Sequence, residues 1–219
     1  ELNEIQIREE KFDFDSDNLS DIVENAIYAA KKSDKIIVDE KLASTATNNA
    51  RQIYNKIGGL NIFQNDDAGI QLNIGGRGLN PSRSANFNIR QNGYDISADV
   101  LGYPESYYTP PAEALQEIQI TRGAASLQYG TQFGGLINFK FKEPEKNNYF
   151  NINFQNTFGS NNLYTNFTSL EGRENKFGYY LFLNYKKGDG FRPNSNFESV
   201  NLFTHIQYQL SESIKISAE

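Results

Sequence analysis

The chain changes its hydrophobic rhythm twice. From Asn18 onward, Leu19, Ile22, Val23, Ala26, Ile27 and Ala30 recur at helical spacing behind Asn18 or Ser20 as a cap, which predicts a short amphipathic helix. Lys31 and Lys32 near its end suit the negative pole of the helix dipole. Lys35 to Asp39 then reads as a strand. Ala50, Ile53, Tyr54 and Ile57 share one face of a helix over residues 47–56, which Gly58 and Gly59 terminate. Leu60 to Ile62 and Gln71 to Ile74 are short strands, and Asn80 to Ser84 is a loop. Phe87 to Arg90 is a strand closed by Asn92-Gly93, a pair that accepts the positive φ angles of a type I′ hairpin turn.

Residues 115–139 organise the rest. Ile118 and Ile120 alternate with Gln119 and Thr121, the pattern of a half-buried strand. Gly123, Gly130, Gly134 and Gly135 mark places where the backbone turns sharply or approaches another segment closely. Leu136 to Phe141 resumes the extended pattern.

After Lys142-Glu143-Pro144 the period becomes two. Phe150, Ile152, Phe154 and Phe158 alternate with Asn151, Asn153, Gln155 and Thr157. Phe177, Tyr179, Leu181, Leu183 and Tyr185 form a second apolar row, and Val200, Leu202, Ile206, Tyr208 and Leu210 a third. Gly159-Ser160-Asn161-Asn162, Glu171-Gly172-Arg173 and Gly188-Asp189-Gly190 read as the turns between them. Strands of about ten residues, apolar outside and polar inside with aromatics near their ends, are the mark of a transmembrane β-barrel. A soluble antiparallel sheet alternates as well, so the period alone does not separate the two.

Composition narrows the class. Of 219 residues, 13% are aromatic and 17 are glycine, with no Cys, Met or Trp, which suits a β-rich chain and excludes disulfides and thiolate metal sites. The net charge of −6 is concentrated, because residues 1–24 hold nine acids against two bases, a net of −7. A basic nucleic-acid face is therefore not expected. No run approaches the roughly 20 apolar residues of a membrane helix. The N-terminus lacks signal-peptide character, so an exported form is expected to have lost its signal.

Two stretches carry a resemblance. Arg122-Gly123, Ser126-Leu127-Gln128-Tyr129-Gly130 and Gly134-Gly135-Leu136-Ile137-Asn138-Phe139 are similar to the last segment of the plug domain in TonB-dependent outer-membrane receptors. Ile74-Gly75-Gly76-Arg77-Gly78-Leu79-Asn80-Pro81 resembles the plug's Ile-Arg-Gly signature as found in ferric dicitrate receptors. The resemblance spans about residues 35–142. It implies an α+β architecture: an N-terminal TonB-box-like segment and short helix over 1–34, a mixed plug over 35–143, and the first antiparallel strands of an outer-membrane barrel over 144–219. Four full strands and a fifth beginning at Ser213 fall short of the roughly 22 of plugged transporters. An open sheet in lipid would leave backbone groups unpaired, so the chain is expected to be the N-terminal portion of a longer protein.

The resemblance also assigns roles. Glu4, Ile5, Gln6 and Ile7 match the TonB box, which adds as a strand to TonB, the partner energised by ExbB and ExbD. Asn65, Arg77, Asn80, Arg83, Tyr103, Tyr107 and Tyr108 are the expected ligand-binding residues, since arginines and hydroxyls recognise the carboxylates of ferric citrate or a ferric siderophore. Asp66, Asp67 and Glu105 nearby argue against simple retention of dicitrate as ligand. Arg122 and Glu117 are expected to contact the barrel, as a charge inside a protein must be paired. The implied function is TonB-dependent uptake of a ferric chelate across the outer membrane of a Gram-negative bacterium, with the plug in the barrel lumen, outer-membrane lipid around it and a periplasmic N-terminus. Another cargo, such as cobalamin, a glycan or a different metal chelate, or a non-transporting adhesin, is the alternative. Phosphate-loop and dinucleotide motifs are absent, and His205 is the single histidine, so neither an enzyme nor a resident metal or cofactor is expected.

Overall fold

A computed structural model describes residues 16–17, 19–23, 26–28, 33–38, 49–55, 57–64, 66–76, 78–98, 105–122, 128–129, 133–144 and 149–219. In chain order its elements are β1 (Ser16–Asp17), β2 (Ile22–Val23), β3 (Ala26–Ile27), β4 (Ser33–Ile37), α1 (Arg51–Tyr54), β5 (Leu60–Gln64), β6 (Leu72–Gly76), β7 (Phe87–Gln91) and β8 (Tyr94–Asp95). There follow β9 (Leu115–Arg122), β10 (Gly135–Phe141), β11 (Asn151–Phe158), β12 (Tyr164–Glu174), β13 (Phe177–Gly188), β14 (Phe197–Ser211) and β15 (Ile214–Ala218). Ser82–Ser84 and Ala112–Ala114 are short 3-10 turns.

The first sheet runs β1-β4-β9-β10-β7-β8. β9 lies antiparallel to β4 and β10, while β10 is parallel to β7. One face is the main core: Ile118 and Ile120 meet Ile137, Phe139, Phe87 and Ile89, and the α1 residue Tyr54 stacks on Phe139 at 5.5 Å. Ala50, Ile53, Tyr54 and Ile57 are all buried, as their shared face requires, although the described helix is the single turn of α1. The Asn92-Gly93 turn has the positive φ angles expected, 47° and 89°.

Two expectations for this half change. β9 is not half-buried, because Gln119 and Thr121 are buried on the opposite face too. There Asn138 donates to Gln119 at 2.8 Å, and Leu19 and Tyr28 pack on Leu136 beside them. The expected helix from Leu19 is instead the β2–β3 hairpin, with Ile22 opposite Ile27 and the Tyr28 amide on the Asp21 carbonyl. Its β-branched residues favour extended backbone, and docking Leu19 and Tyr28 on Leu136 decides the matter, while Ile22 and Ile27 stay exposed. Ala30, Lys31 and Lys32 lie outside the described residues.

The second sheet is a five-stranded antiparallel meander, β11 to β15 in order, matching the expected four strands and a fifth. Its outer rows are exposed, with Phe154 at 66%, Leu183 at 42% and Leu202 at 72%. The inner face carries Thr165, Ser169, Asn184, Lys186, His205 and Gln207, all buried. It is not wholly polar, since Phe167, Tyr180, Phe182 and Phe203 also point inward. Phe141 at the end of β10 meets this cluster edge-on, 4.6 Å from Phe203 and 5.5 Å from Phe182, and so joins the two sheets through aromatic contact.

The second of the three expected turns moves. Glu171-Gly172-Arg173 lies inside β12, and the chain reverses at Asn175, which takes φ 51°. Gly172 has a packing reason: a Cβ there would sit 2.4 Å from both the Tyr149 carbonyl oxygen and the Tyr179 hydroxyl.

Candidate functional site

Beside β6, which pairs with β5 in a two-stranded sheet of its own, two loops interlock. The Ser82–Ser84 turn is pinned to β6, since the Arg83 amide donates to Asn73 Oδ1 at 2.6 Å and Ser84 Oγ accepts from the Ile74 amide at 2.9 Å. Arg83 and Ser84 hold positive φ angles of 50° and 55°, a conformation these bonds must maintain in non-glycine residues. Residues 105–109 are tied to the same strand: Gln71 donates to the Ser106 carbonyl and Thr109 Oγ1 accepts from the Leu72 amide, both at 2.9 Å. The Ser106 amide closes the set on the Arg83 carbonyl at 2.8 Å.

That framework brings together Arg83, Glu105 and Tyr107. The Arg83 guanidinium lies 3.0 Å from Glu105 and 3.3 Å from the Tyr107 hydroxyl, and 5.5 Å from the Tyr107 ring centre; the same hydroxyl donates to Glu105. The Tyr107 hydroxyl and Arg83 together hold the Glu105 carboxyl below its usual range, while the bond to Glu105 raises both Tyr107 and Arg83. Tyr108 is half-buried, and burial pushes its phenol well up. Arg83 and Tyr107 are thus exposed but partnered with each other, and Asn80 is exposed at the same turn.

The loop between β13 and β14 reaches the loop of residues 66–71. The Phe191 amide donates to Asp67 Oδ2 at 2.6 Å, and the buried Lys186 ammonium to the Ala68 carbonyl at 3.1 Å. Between the two loops lies a cleft of about 630 Å³ lined by Phe63, Phe191, Arg51, Arg192, Asp66 and Asp67 among others. A second cavity of about 310 Å³, lined by Phe63, Asn73, Asn80, Pro81 and Ser82, shares the exposed Phe63 with the first. Both volumes are of the size that holds a small ligand, and Phe63 lines both.

Of the residues expected from sequence, Asn80, Arg83, Tyr107 and Tyr108 are gathered here. Asn65, Arg77 and Tyr103 lie outside the described residues, as do Glu4, Ile5, Gln6 and Ile7. Arg122 and Glu117 are elsewhere, and their contacts among the described residues are inside the first sheet and its connections rather than on the second. Arg122 pairs with Asp34 of β4, Nε at 2.8 Å, and donates to the Gly58 carbonyl at 2.6 Å. Glu117 meets Lys35 at 3.6 Å and Gln119 at 2.6 Å. Sequence reasoning missed Phe63, Arg51, Phe191 and Arg192. Phe63 carried a signal, an aromatic on the exposed parity of β5 beside Asn61; the others gain meaning only when distant loops meet.

The TonB-dependent Receptor Plug Domain family matches residues 27–136, half of the 219-residue chain, and the chain belongs to that family. Its fold is similar to that of the siderophore receptor PirA from Acinetobacter baumannii, at 18% identity and TM-score 0.62 over 84% of this chain and 30% of that one. It is similar also to a variant of the ferric enterobactin receptor PfeA from Pseudomonas aeruginosa, at 17% identity and TM-score 0.63 over 86% and 32%. The copper transporter OprC matches at 16% identity and TM-score 0.65 over 84% and 29%. The chain spans about a third of the length of these proteins. The six-stranded assembly is thus a plug and the meander the opening strands of a barrel, as expected.

Proposed function

We propose that the protein takes up a ferric chelate across the outer membrane, driven by TonB. The observation that carries this reading is the cleft of about 630 Å³ between the plug loop at Asp66–Asp67 and the first long barrel loop at Phe191–Arg192. A ligand seated there touches both parts of the molecule, so its binding energy acts on how they fit together, which a gated importer requires. The exposed apolar rows of β11, β13 and β14 suit contact with outer-membrane lipid. The N-terminal segment around Glu4 to Ile7 would then engage TonB, with ExbB and ExbD supplying energy, from the periplasmic side. Ferric citrate is the finer reading of the cargo, because its compact, carboxylate-rich shape suits arginine donors.

Calorimetric titration of the full-length receptor with ferric citrate, a ferric trihydroxamate, cobalamin and an oligosaccharide tests this. Saturable binding of an iron chelate is expected. Binding of cobalamin or the oligosaccharide alone would transfer the reading to another cargo, and no binding at all would favour a barrel that does not transport.

A further inference from the structure

We infer that Arg51 and Arg192 form a clamp that selects anionic, oxygen-rich chelates over neutral ones; this deepens the uptake reading above and rests on it. The cleft contains two formal positive and two formal negative side chains, Arg51 and Arg192 against Asp66 and Asp67. By charge alone these cancel. Their hydrogen-bonding states differ.

Asp66 turns inward on its own loop. Its Oδ1 accepts from the Ala68 and Ile70 amides, both at 2.9 Å, and its Oδ2 from the Gln71 amide at 3.1 Å. Asp67 Oδ2 accepts the Phe191 amide from the barrel loop. Both carboxylates therefore hold backbone in place. The two guanidinium groups do no such work: among the described residues neither has a hydrogen-bond or ion-pair partner, although each carries five donor hydrogens. Only their backbone amides are engaged, that of Arg51 with Asn49 Oδ1 at 3.0 Å and that of Arg192 with Ser195 Oγ at 3.1 Å. Those two bonds fix where the side chains start.

The two arginines come from different parts of the molecule, Arg51 from α1 of the plug and Arg192 from the loop between β13 and β14. Two exposed cations facing one cleft repel each other weakly, and an anion between them turns that repulsion into attraction. The planar fork of each guanidinium matches a carboxylate or catecholate edge better than a point charge would. Phe63 and Phe191 line the same cleft, so it offers apolar surface for an organic ligand body beside the two cations. Arg83, in contrast, already meets Glu105 and Tyr107 and has less to offer an anion.

The test uses the full-length receptor and two probes, anionic ferric citrate and a neutral ferric trihydroxamate. Arg51→Gln and Arg192→Gln should each weaken ferric citrate binding about tenfold or more, the loss expected for one charge-assisted hydrogen bond, and leave any binding of the neutral chelate within about twofold. Arg51→Lys and Arg192→Lys should recover only part of the loss, since lysine keeps the charge without the fork. Both positions are exposed, and an unchanged melting temperature shows that the variants fold. Unchanged ferric citrate affinity in the glutamine variants, or equal loss for both chelates, overturns the clamp while leaving uptake standing. Failure of the native receptor to bind either iron chelate overturns the uptake reading and the clamp with it.

Discussion

Asp67 of the plug accepts the backbone amide of Phe191 from the barrel at 2.6 Å, and both residues line the larger cleft. A carboxylate on the plug thus sets the position of the first long barrel loop, and Arg192 is the next residue along. The bond lies at an exposed site, where water can replace a lost acceptor. Asp67→Ala is accordingly expected to raise amide exchange around Phe191 by roughly three- to tenfold, with little change in global stability. Hydrogen-exchange mass spectrometry of the full-length receptor reads this directly, and unchanged exchange would show that the loop is held by other contacts.

The Arg83–Glu105–Tyr107 triad predicts a pH dependence with a definite sign. The Tyr107 hydroxyl and Arg83 lower the folded-state pKa of the Glu105 carboxyl, so the stability it contributes is present above the ordinary carboxylate pKa. It is lost as pH falls through the lowered value. Acidification below the carboxylate range should release Tyr107 and loosen residues 105–109 before the core responds. Glu105→Gln should produce that looser loop already at neutral pH, as seen in exchange rates at residues 105–109; a loop equally protected in Glu105→Gln and native protein would refute the prediction.

Gly172 predicts a site intolerant of the smallest side chain. Its Cβ would collide with the Tyr149 carbonyl, a backbone atom that yields only if the chain entering β11 shifts. Gly172→Ala should destabilise the folded barrel by about 1–3 kcal/mol, the usual effect of overpacking. Gly58→Ala, with nothing within 4 Å of its added Cβ, should be close to neutral. Urea unfolding of both variants in detergent makes the comparison, and equal midpoints would contradict it.

Arg122 joins three segments of the plug by contacting Asp34 and the Gly58 carbonyl. Both partners of the ion pair are mostly shielded, with side chains 23% and 27% exposed. A double-mutant cycle of Arg122→Ala and Asp34→Ala should give a coupling of about 1 kcal/mol or more. A coupling near zero would mean that the Gly58 carbonyl is the contact that matters.

The sequence made some of this legible for physical reasons. Strands β11, β13 and β14 announced themselves because their outer face is apolar at most alternate residues, whereas β12, with Asn166 and Thr168 on that face, did not. The Asn92-Gly93 turn was legible because few residue pairs take its φ angles. Residues 19–28 misled because their apolar spacing fits a helix, while the partner that decides, Leu136, stands far along the chain. Gly172 misled in another way, since a glycine needed for close packing inside a strand looks the same as one needed for a turn. The site followed the same rule. Arg83 could be picked by its residue type and neighbourhood, but its pairing with Glu105 and Tyr107 depends on how two loops hang from β6. Arg51 and Arg192 had no spacing to betray them, because only the fold brings a plug helix and a barrel loop to one cleft.

The most direct measurement is accumulation of radiolabelled iron, supplied as ferric citrate and as a trihydroxamate, in cells carrying the full-length receptor with TonB present or deleted. Uptake of at least one chelate that needs both the receptor and TonB, and that falls when residues 1–12 are removed, is the predicted result. Accumulation that is the same without TonB, or no uptake of either chelate above cells lacking the receptor, would contradict the account.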